Sequence, residues 1–277
     1  MSVGTVDPRN PATGSDLAIR IVSAIVLAIP ALAGAWIGGW AAGMFIALAA
    51  GVVVLEWSRV TGGAFGVAIG TAIALAAAIV VASLGQPAIA LIVASLALLA
   101  AAVSDRRLWA PAGAFYAASF GFSLVELRLA PGLGLEALIF VRAITWATDT
   151  GAFFVGRLVG GPKLWPSISP KKTRAGAVGG LAAALAVALV FPPLAGVSLS
   201  LPLAIVAVLL SVACQAGDLF ESFVKRRFGV KDSGHLIPGH GGLMDRVDGL
   251  IFAGVGALAV GLVHGGPGDL ARGLLQW

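Results

Sequence analysis

The 277-residue chain is 59% hydrophobic and only 11% charged, with a mean hydropathy of +1.00. A soluble domain carries about a quarter charged residues, so this composition excludes a water-soluble globule and points to a polytopic membrane protein. The net charge of +5 and pI near 10.0 do not require nucleic acid as a partner, because basic cytoplasmic loops give the same balance.

Backbone groups in lipid must be satisfied within each segment, so the expected fold is all-α, a transmembrane helical bundle. Residues 1–16 are polar, with Pro8 and Pro11, and read as a disordered cytoplasmic tail. The first apolar run, residues 17–35, holds Ala31-Leu32-Ala33, which resembles a signal-peptidase site. The tail before it is poorly basic and the hydrophobicity resumes at once, so a retained helix is expected. At about 20 residues per span, helices are expected at 17–35, 37–56, 65–84, 87–104, 109–126, 136–156, 175–193, 200–220 and 247–264, about nine in all. Breaks fall at turn residues, among them Gly85–Pro87, Pro131–Gly134 and Pro192–Pro193. Residues 17–135 form an N-terminal set of helices. Residues 136–277 form a catalytic region with polar loops at 157–174 and 221–246.

With the N-terminus inside, the inner segments carry most of the cations: Arg9, Arg20, Arg59, Arg106, Arg107 and Arg157, then the lysines and arginines of the two polar loops. The outer segments carry only Arg128 and Arg272. This asymmetry obeys the positive-inside rule and places both polar loops in the cytoplasm. The single Cys214 excludes an intrachain disulfide and, within an apolar run, reads as packing.

The polar groups are few and concentrated. Arg142 and Asp149 lie seven residues apart on one face of the sixth helix. Ionisable groups inside a span default to a functional role, the alternative being a salt bridge that fixes packing. Ser167, Ser169, Lys171, Lys172 and Thr173 precede the seventh helix, where hydroxyls and cations suit a phosphate. Contact with anionic headgroups is the other reading of these lysines. Gly176, Gly179 and Gly180 permit close helix contact.

Asp218 falls near the end of the eighth helix, where the macrodipole disfavours an acid and some cation must compensate. Asp245 and Asp248 share a face at the start of the ninth, where acids also serve as caps. Three acids at adjoining helix ends suit a hard divalent cation, Mg²⁺ by preference beside phosphates. Between these helices stand Ser222, Lys225, Arg226, Lys231 and Arg246. The run Gly239-His240-Gly241-Gly242 lets backbone N–H groups approach a ligand closely. His235 reads as structural or exposed, and Pro238 as shaping the turn.

Ser222-Phe-Val-Lys225-Arg226, four residues, Lys231-Asp232, then Gly234, Ile237, Pro238, His240-Gly241-Gly242-Leu243 and Asp245-Arg246-Val247-Asp248 resembles the signature of the phosphatidate cytidylyltransferases, or CDP-diacylglycerol synthases, in residues and in spacing. Asp149-Thr-Gly-Ala-Phe and Ser169-Pro170-Lys171-Lys172-Thr173 are similar to the same family. The resemblance covers residues 140–260, and the first five helices match only in hydropathy. The family usually continues with Trp-Glu-Gly where this chain has Arg174-Ala175-Gly176, so the acid expected at Ala175 is missing. Phe153 stands where Tyr is common, so a phenol there is not required.

The resemblance implies that CTP and phosphatidate give CDP-diacylglycerol and pyrophosphate with Mg²⁺, and leaves room for a second metal ion. It implies Asp218, Asp245 and Asp248 as catalytic metal ligands, with Lys225 and Arg226 beside them. Asp149, Ser169, Lys171, Lys172, Thr173, Ser222, Lys231, His240, Gly241, Gly242 and Arg246 are then the candidate substrate-binding residues. The place of action is the cytoplasmic membrane, with the site facing the cytoplasm, and a homodimer is compatible with the size of the chain. Two other readings remain beside this one. A CDP-alcohol phosphotransferase would need aspartates after Asp248-Gly249 that do not follow before Asp269. A transporter lined by Arg142, Asp149 and Asp218 would show a pair of similarly broken helices.

Overall fold

The computed structural model describes residue 29 and residues 32–105, 107–234 and 241–277. The expected N-terminal tail, most of the first span, Arg9, Arg20, Arg106, His235, Pro238 and His240 lie outside the described residues. A short helical stretch, residues 32–37 (α1), leads at Gly38 (φ 72°) into α2, Gly39–Thr61. Then follow α3 (Phe65–Ser83), α4 (Pro87–Ser104), α5 (Trp109–Leu129) and α6 (Gly134–Leu158). After a two-stranded hairpin come α7 (Arg174–Ala195), α8 (Leu201–Arg227), α9 (Met244–Gly265) and a short α10 (Leu270–Leu275).

Local chemistry sets these boundaries. Pro87 occupies the first turn of α4, where its missing N–H costs nothing. Asp105 accepts the N–H groups of Arg107 and Ala110 and shapes the turn into α5. Ser200 caps α8 by accepting the Leu203 N–H at 3.3 Å. Among the described residues, seven helices are long and apolar enough to cross a membrane: α2, α3, α4, α6, α7, α8 and α9. The chain is therefore an integral membrane protein. The α5 helix, with Glu126 and Arg128 near its end, packs against α2, α3, α4, α6 and α9 and so needs less apolar surface of its own. Ile89, Leu91, Ile92, Leu96 and Leu99 of α4 are exposed, as befits side chains that meet lipid.

The bundle is all-α as expected, with one small addition, and two expectations need correction. The addition is an antiparallel hairpin inside the first polar loop, formed by β1 (Lys163–Trp165) and β2 (Ser169–Thr173). No apolar alternation announces it, because the strands are short and mostly exposed. The α7 helix runs past Pro192 and Pro193 and ends at Gly196 (φ 66°), whose left-handed conformation closes the C-terminus. The second polar loop is shorter than 221–246. Residues 221–227 continue α8, and Met244, Asp245 and Arg246 already belong to α9. The cations Lys225, Arg226 and Arg227 suit a helix C-terminus, so the polar run prolongs α8 instead of ending it.

Close contacts draw the helices together around the polar end. The glycines expected to allow approach do so: a Cβ at Gly176 would stand 2.8 Å from the Ala152 carbonyl oxygen of α6. A Cβ at Gly249 of α9 would stand 2.6 Å from Cys214 Sγ of α8. Cys214 is buried, as packing requires. Thr148 donates to Ser211 Oγ at 2.8 Å, and Gln215 donates to the Ala177 carbonyl at 3.3 Å, linking α6, α8 and α7. An aromatic cluster fills the space between α2, α5, α8 and α9. Trp57 lies against Trp109, Tyr116 and Phe220, and Phe220 against Phe252, at centroid distances of 5.2–6.3 Å.

Candidate active site

The ends of α2, α6 and α8, the starts of α7 and α9, and the hairpin meet at one end of the bundle. Two groups of charges lie there. The first joins Asp149 of α6, Asp218 of α8 and Asp248 of α9, which stand within Coulombic range of one another and of Lys172 on β2. Lys172 Nζ is ion-paired with Asp218 Oδ2. Asp149 Oδ1 lies 3.8 Å from Cys214 Sγ, and Asp248 Oδ1 accepts the N–H of Gly249 at 2.7 Å. Three acids near one another repel, so a cation beside them is an electrostatic need, and Lys172 meets part of it.

The second group is built on Lys225. Its ammonium lies 2.5 Å from Glu221 Oε2, one turn back on α8, and 2.6 Å from Asp245 Oδ1 at the start of α9. Asp245 Oδ2 in turn accepts the N–H groups of Ser233 at 3.1 Å and Gly242 at 3.0 Å. Asp245 thus fastens the loop after α8 to both helices. Gly241 (φ 84°) turns the chain into α9 in a conformation that favours glycine. Between the groups lies the buried Tyr116 of α5, whose hydroxyl is within Coulombic range of Asp218, Glu221, Asp245 and Asp248. The Tyr116 hydroxyl and Glu221 Oε1 have no hydrogen-bond partner among the described residues.

The sequence expectations divide accordingly. Asp149, Lys172, Asp218 and Asp248 come together. Asp245 and Lys225 form the neighbouring pair. Lys171 is exposed and, next to Lys172 on a strand, faces the opposite side. Thr173 is buried and its hydroxyl accepts the Gly176 N–H at 3.0 Å, capping α7, while Ser169 pairs with Trp165 across the hairpin. Arg226 donates to the Val230 carbonyl at 3.0 Å and is exposed, as are Lys231 and Arg246; Ser222 is half-buried on α8. Arg142 lies two turns from Asp149 along α6, with its guanidinium 4.7 Å from the Trp146 ring centroid. His240 lies outside the described residues.

Three acidic or phenolic groups escape the sequence reading: Glu56, Tyr116 and Glu221. The first is an acid inside an apolar span, which alone marks it for attention. Glu221 stands at i−4 to Lys225, an ion-pair spacing. Tyr116, the sole tyrosine, carries no local signal.

The family follows from comparison with known proteins. The sequence profile of the Cytidylyltransferase family matches residues 18–263. The chain belongs to that family. It is 40% identical over 264 residues to a phosphatidate cytidylyltransferase of Brucella suis biovar 1 (strain 1330), covering 91% of this chain and 96% of that relative. Over 131 residues it is 44% identical to the phosphatidate cytidylyltransferase of Bacillus subtilis (strain 168), covering 46% of this chain and 48% of the relative. A Staphylococcus saprophyticus homologue with the same description is 50% identical over 120 residues, or 43% of this chain and 46% of its own. The match to the family also extends over α2 to α5, where the sequence offered only hydropathy.

Proposed function

We propose that the polar end of the bundle carries out a metal-assisted, in-line nucleotidyl transfer. The reaction is that of a phosphatidate cytidylyltransferase: CTP and phosphatidate give CDP-diacylglycerol and pyrophosphate. The observation that carries the mechanism is the meeting of Asp149, Asp218 and Asp248 around Lys172 at the mouth of a membrane bundle. A phosphate oxygen of phosphatidate forms a bond to the α-phosphorus of CTP. The bond from that phosphorus to the bridging oxygen breaks, and pyrophosphate leaves with the electron pair. A phosphate monoester has a second pKa of about 6, so the nucleophile is already ionised and no general base is needed. The protein's tasks are to position the two phosphates and to balance their charge.

The donor set fits Mg²⁺, which takes hard oxygen ligands and is commonly held by one or two carboxylates with phosphates and waters completing the shell. Asp218 and Asp248 would hold it; Asp245, the third ligand expected from the sequence, has Oδ1 engaged by Lys225 and Oδ2 by the N–H groups of Ser233 and Gly242. Among the described residues no group of three or more acids, histidines or cysteines stands together as a metal site, so the protein would supply at most two of the ion's ligands. When bound, the ion would neutralise charge on the transferring phosphoryl group and the leaving pyrophosphate. Lys172 supplies the cation nearest the carboxylates. Lys225 holds Asp245 in place, and Arg226, Lys231 and Arg246 offer cations around the loop.

The finer arrangement belongs to the same proposal. A ninth span ahead of α2, with the N-terminus and the active site on the cytoplasmic side of the inner membrane, agrees with the distribution of basic residues. It also agrees with the chemistry, since CTP is cytosolic and the phosphatidate headgroup lies at the membrane surface. A homodimer, which the size of the chain allows, is tested by the mass of the purified protein in detergent. The mechanism is tested by conversion of radiolabelled CTP with phosphatidate by the purified protein, with Mg²⁺ and after chelation. Turnover that persists unchanged after removal of divalent ions would sink the metal-assisted reading.

A further inference from the structure

Glu56 lies at the polar end of α2, in the run Val53-Val54-Leu55-Glu56-Trp57, and is 6% exposed. A carboxylate so buried is costly unless hydrogen bonds meet it. Its partners are on the far side of the sequence. Glu56 Oε1 accepts the Leu243 N–H at 2.9 Å, and Oε2 accepts the Met244 N–H at 2.7 Å and the Ser233 hydroxyl at 3.4 Å. Leu243 is the N-cap of α9 and has no side-chain oxygen with which to cap it. The first N–H groups of a helix lack partners within it, and an anion is favoured there by the macrodipole. Glu56 therefore caps α9 from another helix.

The loop is shaped to admit this carboxylate. A Cβ at Gly234 would stand 2.8 Å from Glu56 Oε1, and one at Gly242 would meet the Ser233 hydroxyl first and then the two Glu56 oxygens at 2.8 and 2.9 Å. Neither glycine has a positive φ, so space, not backbone conformation, calls for glycine at both. A serine or aspartate at position 243 would cap α9 just as well for helix stability. A cap supplied from α2 does something a local cap does not: it fixes where the first turn of α9 sits in the bundle. Asp245 is the residue after Met244, and Asp248 is one turn further on the same face.

We propose that Glu56 is a positioning residue of the transfer reaction. From the N-terminal half of the chain it sets the start of α9, and with it the placement of Asp248 beside Asp218 and of Asp245 against Lys225. This rests on the reading that Asp218 and Asp248 would hold the divalent cation that meets the phosphates. Misplacement of about 1 Å at a reacting centre costs on the order of a hundredfold in rate.

The test uses full-length protein purified in detergent, with turnover normalised to folded protein by thermal unfolding. Glu56→Ala is expected to lower kcat at least tenfold and to raise the Mg²⁺ concentration needed for half-maximal activity, while KM for CTP moves less. Glu56→Gln keeps one acceptor oxygen in place and recovers part of the loss. Gly234→Ala pushes against the Glu56 carboxylate without removing it and is expected to lower kcat alone, yet to add nothing in the Glu56→Ala background. Wild-type kcat and Mg²⁺ demand in folded Glu56→Ala would overturn the proposal. So would equal harm from Gly234→Ala in both backgrounds. Should Glu56→Ala not fold, Gly234→Ala decides alone: folded protein with wild-type kcat overturns the proposal. Asp248→Asn is measured alongside. Full turnover there overturns the underlying reading and the proposal with it, whereas lost turnover there with normal Glu56→Ala overturns the Glu56 role alone.

Discussion

Lys171 and Lys172 are neighbours in sequence with the same chemistry, yet only Lys172 reaches an acid of the site. Lys172→Gln removes the cation paired with Asp218 and should lower kcat/KM at least tenfold, whereas Lys171→Gln should stay within about fivefold of wild type, since an exposed charge contributes roughly 1 kcal/mol or less. Equal losses from the two would show that the strand presents both side chains to substrate. The aspartates separate in a similar way. Asp248→Asn should lower turnover by orders of magnitude and raise the Mg²⁺ requirement of what remains, because the amide is a poorer ligand for a hard cation. Asp245→Asn breaks the ion pair with Lys225 and loosens the loop as well. Its loss of turnover should be accompanied by a lower unfolding temperature, which Asp248→Asn should not show. A well-folded Asp245→Asn enzyme with normal turnover at low Mg²⁺ would leave Asp245 a structural residue only.

Helix contacts set the distances between these side chains. Gly249 meets Cys214 where α8 and α9 cross, one residue after Asp248. Gly249→Ala should force the helices apart, costing about 1–3 kcal/mol by overpacking, and should lower activity by moving Asp248 away from Asp218. Cys214→Ala in the same chain should recover part of both losses; no recovery would place the damage elsewhere. The elements themselves were readable because long apolar runs bounded by glycine, proline and charge leave little choice in lipid. The start of α3 at Phe65 and the whole of α4 follow directly from that reading. The end of α8 did not, since a basic run reads equally as a loop or as the last turns of a helix. The hairpin at Lys163–Thr173 is held by backbone pairing, which exposed side chains do not reveal. Glu56 was visible as an acid in an apolar span, but its partners lie beyond position 230, and sequence spacing carries no information about contacts at that range.

Orientation belongs to the bundle. The polar end, where Asp149, Lys172, Asp218 and Asp248 meet, is expected to face the cytoplasm. Single cysteines introduced into a Cys214→Ala chain test this with impermeant thiol reagents. Trp165→Cys, on the exposed hairpin, should label from the cytoplasmic side, and Ser198→Cys, between α7 and α8, from the opposite side. Ser198 serves better than its neighbour Val197, which is buried. The reverse pattern would invert the proposed topology.

The aromatic cluster behind the acids has a consequence of its own. A hydrophilic pit sunk into a bilayer is half of a conduction pathway, and a membrane that stores energy as an ion gradient does not tolerate the other half. Trp57, Tyr116, Phe220 and Phe252 close the space between α2, α5, α8 and α9 directly behind Asp218 and Asp248. Packed rings leave little room for water, so the stack that orders these helices is expected to deny protons and hydrated cations drawn to the carboxylates a wet route onward through this part of the bundle.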